Sequence, residues 1–141
     1  LPDVQRRTKC IMRKEKFQVA ILDDDPAVRR ALNRLLSANQ FDVQTYETAL
    51  DLISNIESAL PDCLILDLFM GDMSGLEINN HLRARKIIIP TIIITAHAVA
   101  DMHAKRDNPG ISAFLGKPLQ GATLIQAIHA AINSHNTKPG T

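Results

Sequence analysis

Between Phe17 and Ile132 the chain alternates short apolar runs with longer stretches whose apolar residues recur every three or four positions. The short runs predict strands and the longer ones helices. Phe17–Leu22 is the first run, and it ends in Asp23-Asp24-Asp25. Pro26 then opens a helix at a position where its missing N–H costs nothing, with Asp25 as N-cap. Val28, Ala31, Leu32, Leu35 and Leu36 fall at helical spacing and predict one buried stripe. Residues 41–45 read as a second strand, and Thr48 as the cap of a helix carrying Ala49, Leu52, Ile53 and Ile56.

Pro61-Asp62 breaks the chain before 63–66, a run with almost no polar alternation. Such a strand is expected to be covered on both faces, as in a parallel sheet. Gly75 precedes a weaker helix with Leu76, Ile78 and Leu82. Residues 87–94, interrupted by Pro90, supply the fourth strand and 112–115 the fifth. A last helix runs from about 121 to 132, with Leu124, Ile128, Ala131 and Ile132 on one face. The fourth helix is the weak point. Residues 101–109 are polar nearly all round, Pro109 biases Asn108 away from helix, and only Val99 and Met102 offer apolar anchors. A short or frayed helix is predicted there.

Strands and helices that alternate with short connections imply a parallel sheet wrapped by helices on both faces. Right-handed crossovers leave few arrangements, and the five-stranded doubly wound order 2-1-3-4-5 is the natural one. Ligands of such sheets bind beyond the carboxyl ends of the strands, at the switch point between the first and third.

Composition narrows the class. The 141 residues, 45% hydrophobic and 22% charged with no tryptophan, suit one globular domain with an aliphatic core. The net charge of +1 argues against a large nucleic-acid surface. Residues 1–16 hold six basic side chains against two acidic ones, a net of +4, so the remainder carries −3. This stretch reads as a basic leader or an expression remnant, and 134–141 as a polar tail or linker. Cys10 and Cys63 form no disulfide framework, and no apolar stretch reaches the ~18 residues that span a bilayer. A cytoplasmic protein without membrane contact is expected.

The strand ends carry the candidate chemistry. The first ends in Asp23-Asp24-Asp25, the third in Asp67, the fourth in Thr95, and the fifth leads to Lys117. Each residue alone has an ordinary reading as a turn or cap; their convergence on one sheet edge is more specific. Several carboxylates at close range raise one another's pKa, and a hard dication with oxygen ligands resolves that conflict. A carboxylate in that setting is a competent nucleophile toward phosphorus. Phosphoryl transfer then needs chiefly positioning and charge neutralisation, which Lys117 and the Thr95 hydroxyl supply.

The strings Val19-Ala-Ile-Leu-Asp23-Asp24-Asp25-Pro26, Leu66-Asp67-Leu-Phe-Met70, Asp72-Met-Ser-Gly75-Leu-Glu77, Ile94-Thr95-Ala96 and Gly116-Lys117-Pro118 resemble the signature blocks of bacterial response-regulator receiver domains. The resemblance covers about 17–133 and is strongest to the nitrogen-fixation-type regulators. It implies a flavodoxin-like fold and a two-component signalling protein, not a turnover enzyme. Asp67 would be the phosphoacceptor. Asp23, Asp24, Asp67 and the carbonyl of Phe69 would hold Mg²⁺, and Thr95 and Lys117 would bind phosphoryl oxygens. Phe114 would be the switch aromatic that responds to Thr95, and the Lys117–Pro118 bond would be cis. The implied partner is a sensor histidine kinase or a phosphotransfer protein. The signal would pass through the face built from the fourth helix, fifth strand and fifth helix. It would reach a partner or an output domain lost from the C-terminus, transcriptional in type, or act through a phosphorylation-linked homodimer.

Several positions depart from the family pattern. Gly71 stands where proline is common and frees the loop after the phosphoacceptor. Phe69 and His97, two residues beyond Asp67 and Thr95, occupy variable positions that modulate loss of the phosphate. A bulky Phe69 predicts a long-lived phosphoform. His81, His103, His129 and His135 show no metal-ligand spacing. Two other readings compete: a receiver-like binding module that works without phosphorylation, and a phosphohydrolase. The complete set of Asp23, Asp24, Asp67, Thr95 and Lys117 weighs against the first. Leu68 and Phe69, standing where a second carboxylate would be needed, weigh against the second.

Overall fold

The fold was analysed in a computed structural model, which describes residues 16–68, 73–96 and 110–137. Expectations for Cys10, Phe69, Gly71, His97, His103 and the polar stretch 101–109 lie outside the described residues. Among those described, the chain runs β1 (Phe17–Leu22), α1 (Pro26–Ala38), β2 (Phe41–Tyr46), α2 (Ala49–Ile56), β3 (Cys63–Asp67), α3 (Gly75–Ala84), β4 (Thr91–Thr95), β5 (Ile111–Gly116) and α4 (Gly121–Thr137). The five strands form one sheet in the order β2-β1-β3-β4-β5, with every pairing parallel. That is the doubly wound order expected from the alternation.

The period-2 geometry of the strands divides the core into two layers. Val19, Ile21, Cys63, Ile65, Ile92 and Ile94 point to one face, where they meet Leu32 and Leu36 of α1 and Leu124, Ile128 and Ile132 of α4. Ala20, Leu22, Leu64, Leu66 and Ile93 point to the other, against Leu52 and Ile56 of α2 and Ile78 and Leu82 of α3. β3 is buried along its whole length, as its uninterrupted apolar run requires.

The predicted caps are in place. Asp25 accepts a hydrogen bond from the Ala27 N–H at 2.9 Å, and Thr48 accepts one from Asp51 at 3.1 Å. Several details differ from the sequence reading. Ala31 is exposed, because only Leu32 and Leu36 of the stripe reach the sheet while Val28 and Leu35 sit at its margin. β4 starts at Thr91, since Pro90 has no N–H for a ladder; Ile87 to Pro90 is irregular. Gly75 lies within α3, whose N-cap is Ser74 in a reciprocal capping box with Glu77. α4 continues to Thr137, beyond the last apolar position of its stripe, because the i to i−4 backbone bonds need no apolar side chain to continue.

Two polar features inside the core were not legible. Asn79 of α3 donates to Thr91 Oγ1 at 3.0 Å, and that hydroxyl donates to the Ile89 carbonyl at 2.9 Å. The pair fixes α3 to the start of β4 without leaving a buried donor unmatched. Cys63 is fully buried, and burial, with a smaller contribution from Asp62, pushes its thiol from an ordinary 9.0 up to about 12.

A thiol held protonated by burial reacts only when the fold opens. In a Cys10→Ser background at pH 8, an aromatic disulfide reagent should label Cys63 at the unfolding rate and instantly in denaturant. A fast burst in the native protein would show that β3 is accessible. The same shift fixes a sign: the folded state holds this proton more tightly, so its contribution to stability is complete below pH 9 and is lost as pH rises toward 12.

Candidate functional site

Because the strands are parallel, their carboxyl ends line one edge of the sheet. β1 is followed directly by Asp23 and Asp24, β3 ends on Asp67, β4 ends on Thr95, and Lys117 follows the end of β5. α1 leaves β1 toward one face and α3 follows β3 on the other, so a crevice opens between them. The sequence-predicted residues that are described do converge there. Asp23 and Asp67 are buried, at 2% and 7% exposure, and Asp24 is exposed. One carboxylate oxygen from each of the three lies within 4.8 Å of the other two.

Lys117 supplies the countercharge. Its Nζ donates to Asp67 Oδ2 at 3.2 Å and stands 3.5 Å from Asp23 Oδ2, a separation that attracts without closing a hydrogen bond. Burial alone would lower the pKa of this ammonium, but the carboxylates of Asp23 and Asp67 raise it above its ordinary value. The Asp23 carboxyl is pushed up, first by burial and then by Asp67 and Asp24, against the lowering effect of the Asp25 amide and Lys117. Thr95 is fully buried, and its carbonyl accepts from the Lys117 N–H at 2.9 Å, tying β4 to the lysine loop. The Lys117–Pro118 peptide is cis, as the resemblance implied. Phe114 is half-buried, paired in register with Ile93 and packed on the α2–α3 side of the core.

The donor set at this edge fits a hard cation. It is all oxygen, and among the described residues Asp23 Oδ2 is the one buried side-chain oxygen or nitrogen with no hydrogen-bond partner. Lys117 Nζ faces that oxygen at 3.5 Å, but one ammonium against three clustered carboxylates leaves the edge net negative, a charge that a hard cation would neutralise. The other two oxygens of Asp23 are engaged: Oδ1 accepts from the Asp25 N–H at 2.9 Å, and the carbonyl accepts from Arg29 at 2.6 Å. Sequence reasoning missed Arg29. A basic residue one turn into α1, six positions after Asp23, was the available signal.

This fold is that of a signalling receiver. Residues 19–129 match the response regulator receiver domain family, and the chain belongs to it. It is 34% identical to the transcriptional regulatory protein TdiR of Thauera aromatica over 114 residues, and 34% identical to the transcriptional regulatory protein FixJ of Rhizobium meliloti over 115. These alignments take in 81% and 82% of this chain but only 50% and 56% of the relatives, so the chain spans about half their length. Among solved structures, full-length FixJ from B. japonicum superposes with a TM-score of 0.78 at 26% identity, over 87% of this chain and 60% of that one. The likeness to nitrogen-fixation-type regulators thus holds in sequence and in structure. No helix among the described residues is long and apolar enough to cross a membrane.

Gly75, the first residue of α3, has a steric duty at this edge. A Cβ there would lie 2.8 Å from the Asp67 carbonyl oxygen and 2.8 Å from Ile93 Cδ1. The first turn of α3 therefore rests directly on the end of β3. Gly75→Ala should lower stability by about 1–3 kcal/mol in urea unfolding, since backbone and a packed side chain must both move. An unchanged midpoint would mean that α3 can lift off the strand end freely.

Proposed function

We propose that Asp67 accepts a phosphoryl group from the phosphohistidine of a sensor histidine kinase or phosphotransfer protein. The acyl phosphate then changes how the domain meets a partner or an attached output domain. The observation that carries this reading is the placement of Asp67. It is buried at a strand end, ion-paired with Lys117 at 3.2 Å, and clustered with Asp23 and Asp24. In the transfer, an Asp67 carboxylate oxygen attacks phosphorus. The P–N bond breaks, and its electron pair returns to the imidazole nitrogen of the donor.

Asp23, Asp24, Asp67 and the carbonyl of Phe69 would hold Mg²⁺. When bound, this ion neutralises charge collecting on the phosphoryl oxygens. Lys117, freed from its contact with Asp67 as that carboxylate becomes an acyl phosphate, turns to a phosphoryl oxygen. The Thr95 hydroxyl donates to another. Movement of Thr95 toward the phosphate makes room on its far side, and Phe114, beside Ile93 in the adjoining strand, turns inward to fill it. That carries the change to the face around β5 and α4, from which a transcriptional output domain or a homodimer would read it. Phe69 and His97 would set how quickly water removes the phosphate. The domain performs only this self-catalysed transfer and the later hydrolysis of the acyl phosphate, in which water takes the phosphoryl group as inorganic phosphate and the Asp67 carboxylate is restored. A cytoplasmic setting follows from its kinase and transcriptional partners.

Intact-mass measurement after incubation with acetyl phosphate tests the reading. The parent should gain one phosphoryl group (~80 Da) that requires Mg²⁺, and Asp67→Asn should gain none. An equal gain in Asp67→Asn would move the acceptor to another residue. No gain in the parent with either acetyl phosphate or a phosphorylated kinase would leave phosphorylation-independent binding as the better reading.

A further inference from the structure

Arg29 occupies an unexpected place for a cation. It sits on the first turns of α1, 14% exposed, beside a cluster read here as the seat of a dication that its own charge repels. Nη1 donates to the carbonyl of Asp23 at 2.6 Å, and Nη2 reaches Glu47 Oε2 at 3.3 Å, in the connection between β2 and α2. The first is a short charge-assisted bond to the backbone of the acidic loop. The second, to a side chain 67% exposed, contributes little by itself.

We propose that Arg29 is a positioning residue for the cation site. Its bond to the Asp23 carbonyl, together with the Asp25 amide on Asp23 Oδ1, fixes the peptide that joins Asp23 to Asp24. Asp23 Oδ2 is then the side-chain oxygen of that residue that accepts no hydrogen bond, facing only the Lys117 ammonium at 3.5 Å and already oriented before any ion arrives. Holding a ligand-bearing backbone from outside the ligand set is a recognised way to raise metal affinity. Only a guanidinium has the planar fork that serves the carbonyl and Glu47 at once; a lysine offers a single point of contact. The role rests on the reading of Asp23 and Asp24 as cation ligands.

The experiment is a Mg²⁺ titration of the full chain, followed by amide chemical shifts, for the parent, Arg29→Ala, Arg29→Lys and Glu47→Gln. Arg29→Ala should weaken Mg²⁺ binding by about tenfold. Arg29→Lys, which keeps the charge and the aliphatic stem, should weaken it nearly as much and is the variant to read if Arg29→Ala does not fold. Glu47→Gln should stay within about twofold of the parent. At saturating Mg²⁺ the rate of phosphorylation by acetyl phosphate should return to the parent value in every variant, which a general loss of structure would not allow. Mg²⁺ binding in Arg29→Ala that equals or exceeds the parent's overturns the positioning role and leaves the site reading intact. A parent that binds no Mg²⁺ overturns the site reading and this role with it.

Discussion

Two carboxylates buried side by side at a sheet edge repel one another and lose their hydration, and the surrounding structure answers both penalties. Asp23 and Asp67 meet this condition at the ends of adjacent strands, which the β1–β3 pairing places next to each other. Lys117 answers the charge from the end of β5, with Nζ between the two carboxylates at 3.2 and 3.5 Å. Its ammonium is held protonated by both of them despite burial. The Asp25 amide and the Arg29 guanidinium satisfy most of the remaining oxygens of Asp23. What is left is Asp23 Oδ2 without a hydrogen bond and a third carboxylate, Asp24, clustered with the other two, a net negative charge that suits a hard cation.

The two-layer core sets that edge. Alternate residues of β1 and β3 pack against α1 and α4 on one face and α2 and α3 on the other, so both strands are clamped from two sides up to their last residues. Gly75 lets α3 close directly on the Asp67 carbonyl, and the Asn79–Thr91 hydrogen bond secures the same helix at the base of β4. The site is thus built on strand ends with little freedom to shift. The chemistry proposed for it, in which positions and charges matter more than bond-making groups, requires such a platform.

The countercharge reaches the carboxylates from a different strand. Thr95 ends β4 and Lys117 follows the end of the neighbouring β5, the two joined by the Thr95 carbonyl and the Lys117 amide, and Phe114 lies on the strand that leads to the lysine. A phosphoryl group on Asp67, as proposed, would pull on both strand ends at once.

Most of the fold was legible because its signals are local. Pro26 after Asp25, Thr48 before Ala49, and the unbroken apolar run from Cys63 each identify an element without reference to the rest of the chain. The alternation of elements then determined the strand order through handedness, and the order determined that Asp23, Asp24, Asp67, Thr95 and Lys117 share an edge. The boundaries that differed were those where the local signal misleads. Ala31 fits the apolar spacing but falls outside the arc that faces the sheet, and α4 outlasts its apolar stripe. Contacts between residues far apart in sequence were decided only in three dimensions. Whether Lys117 reaches Asp67 or Asp23, why position 75 must lack a side chain, and what Arg29 holds all depend on helix and strand placement to within an ångström or two. Periodicity and capping record which face a residue takes, whereas hydrogen bonds and steric contacts depend on distances that only the packed chain defines.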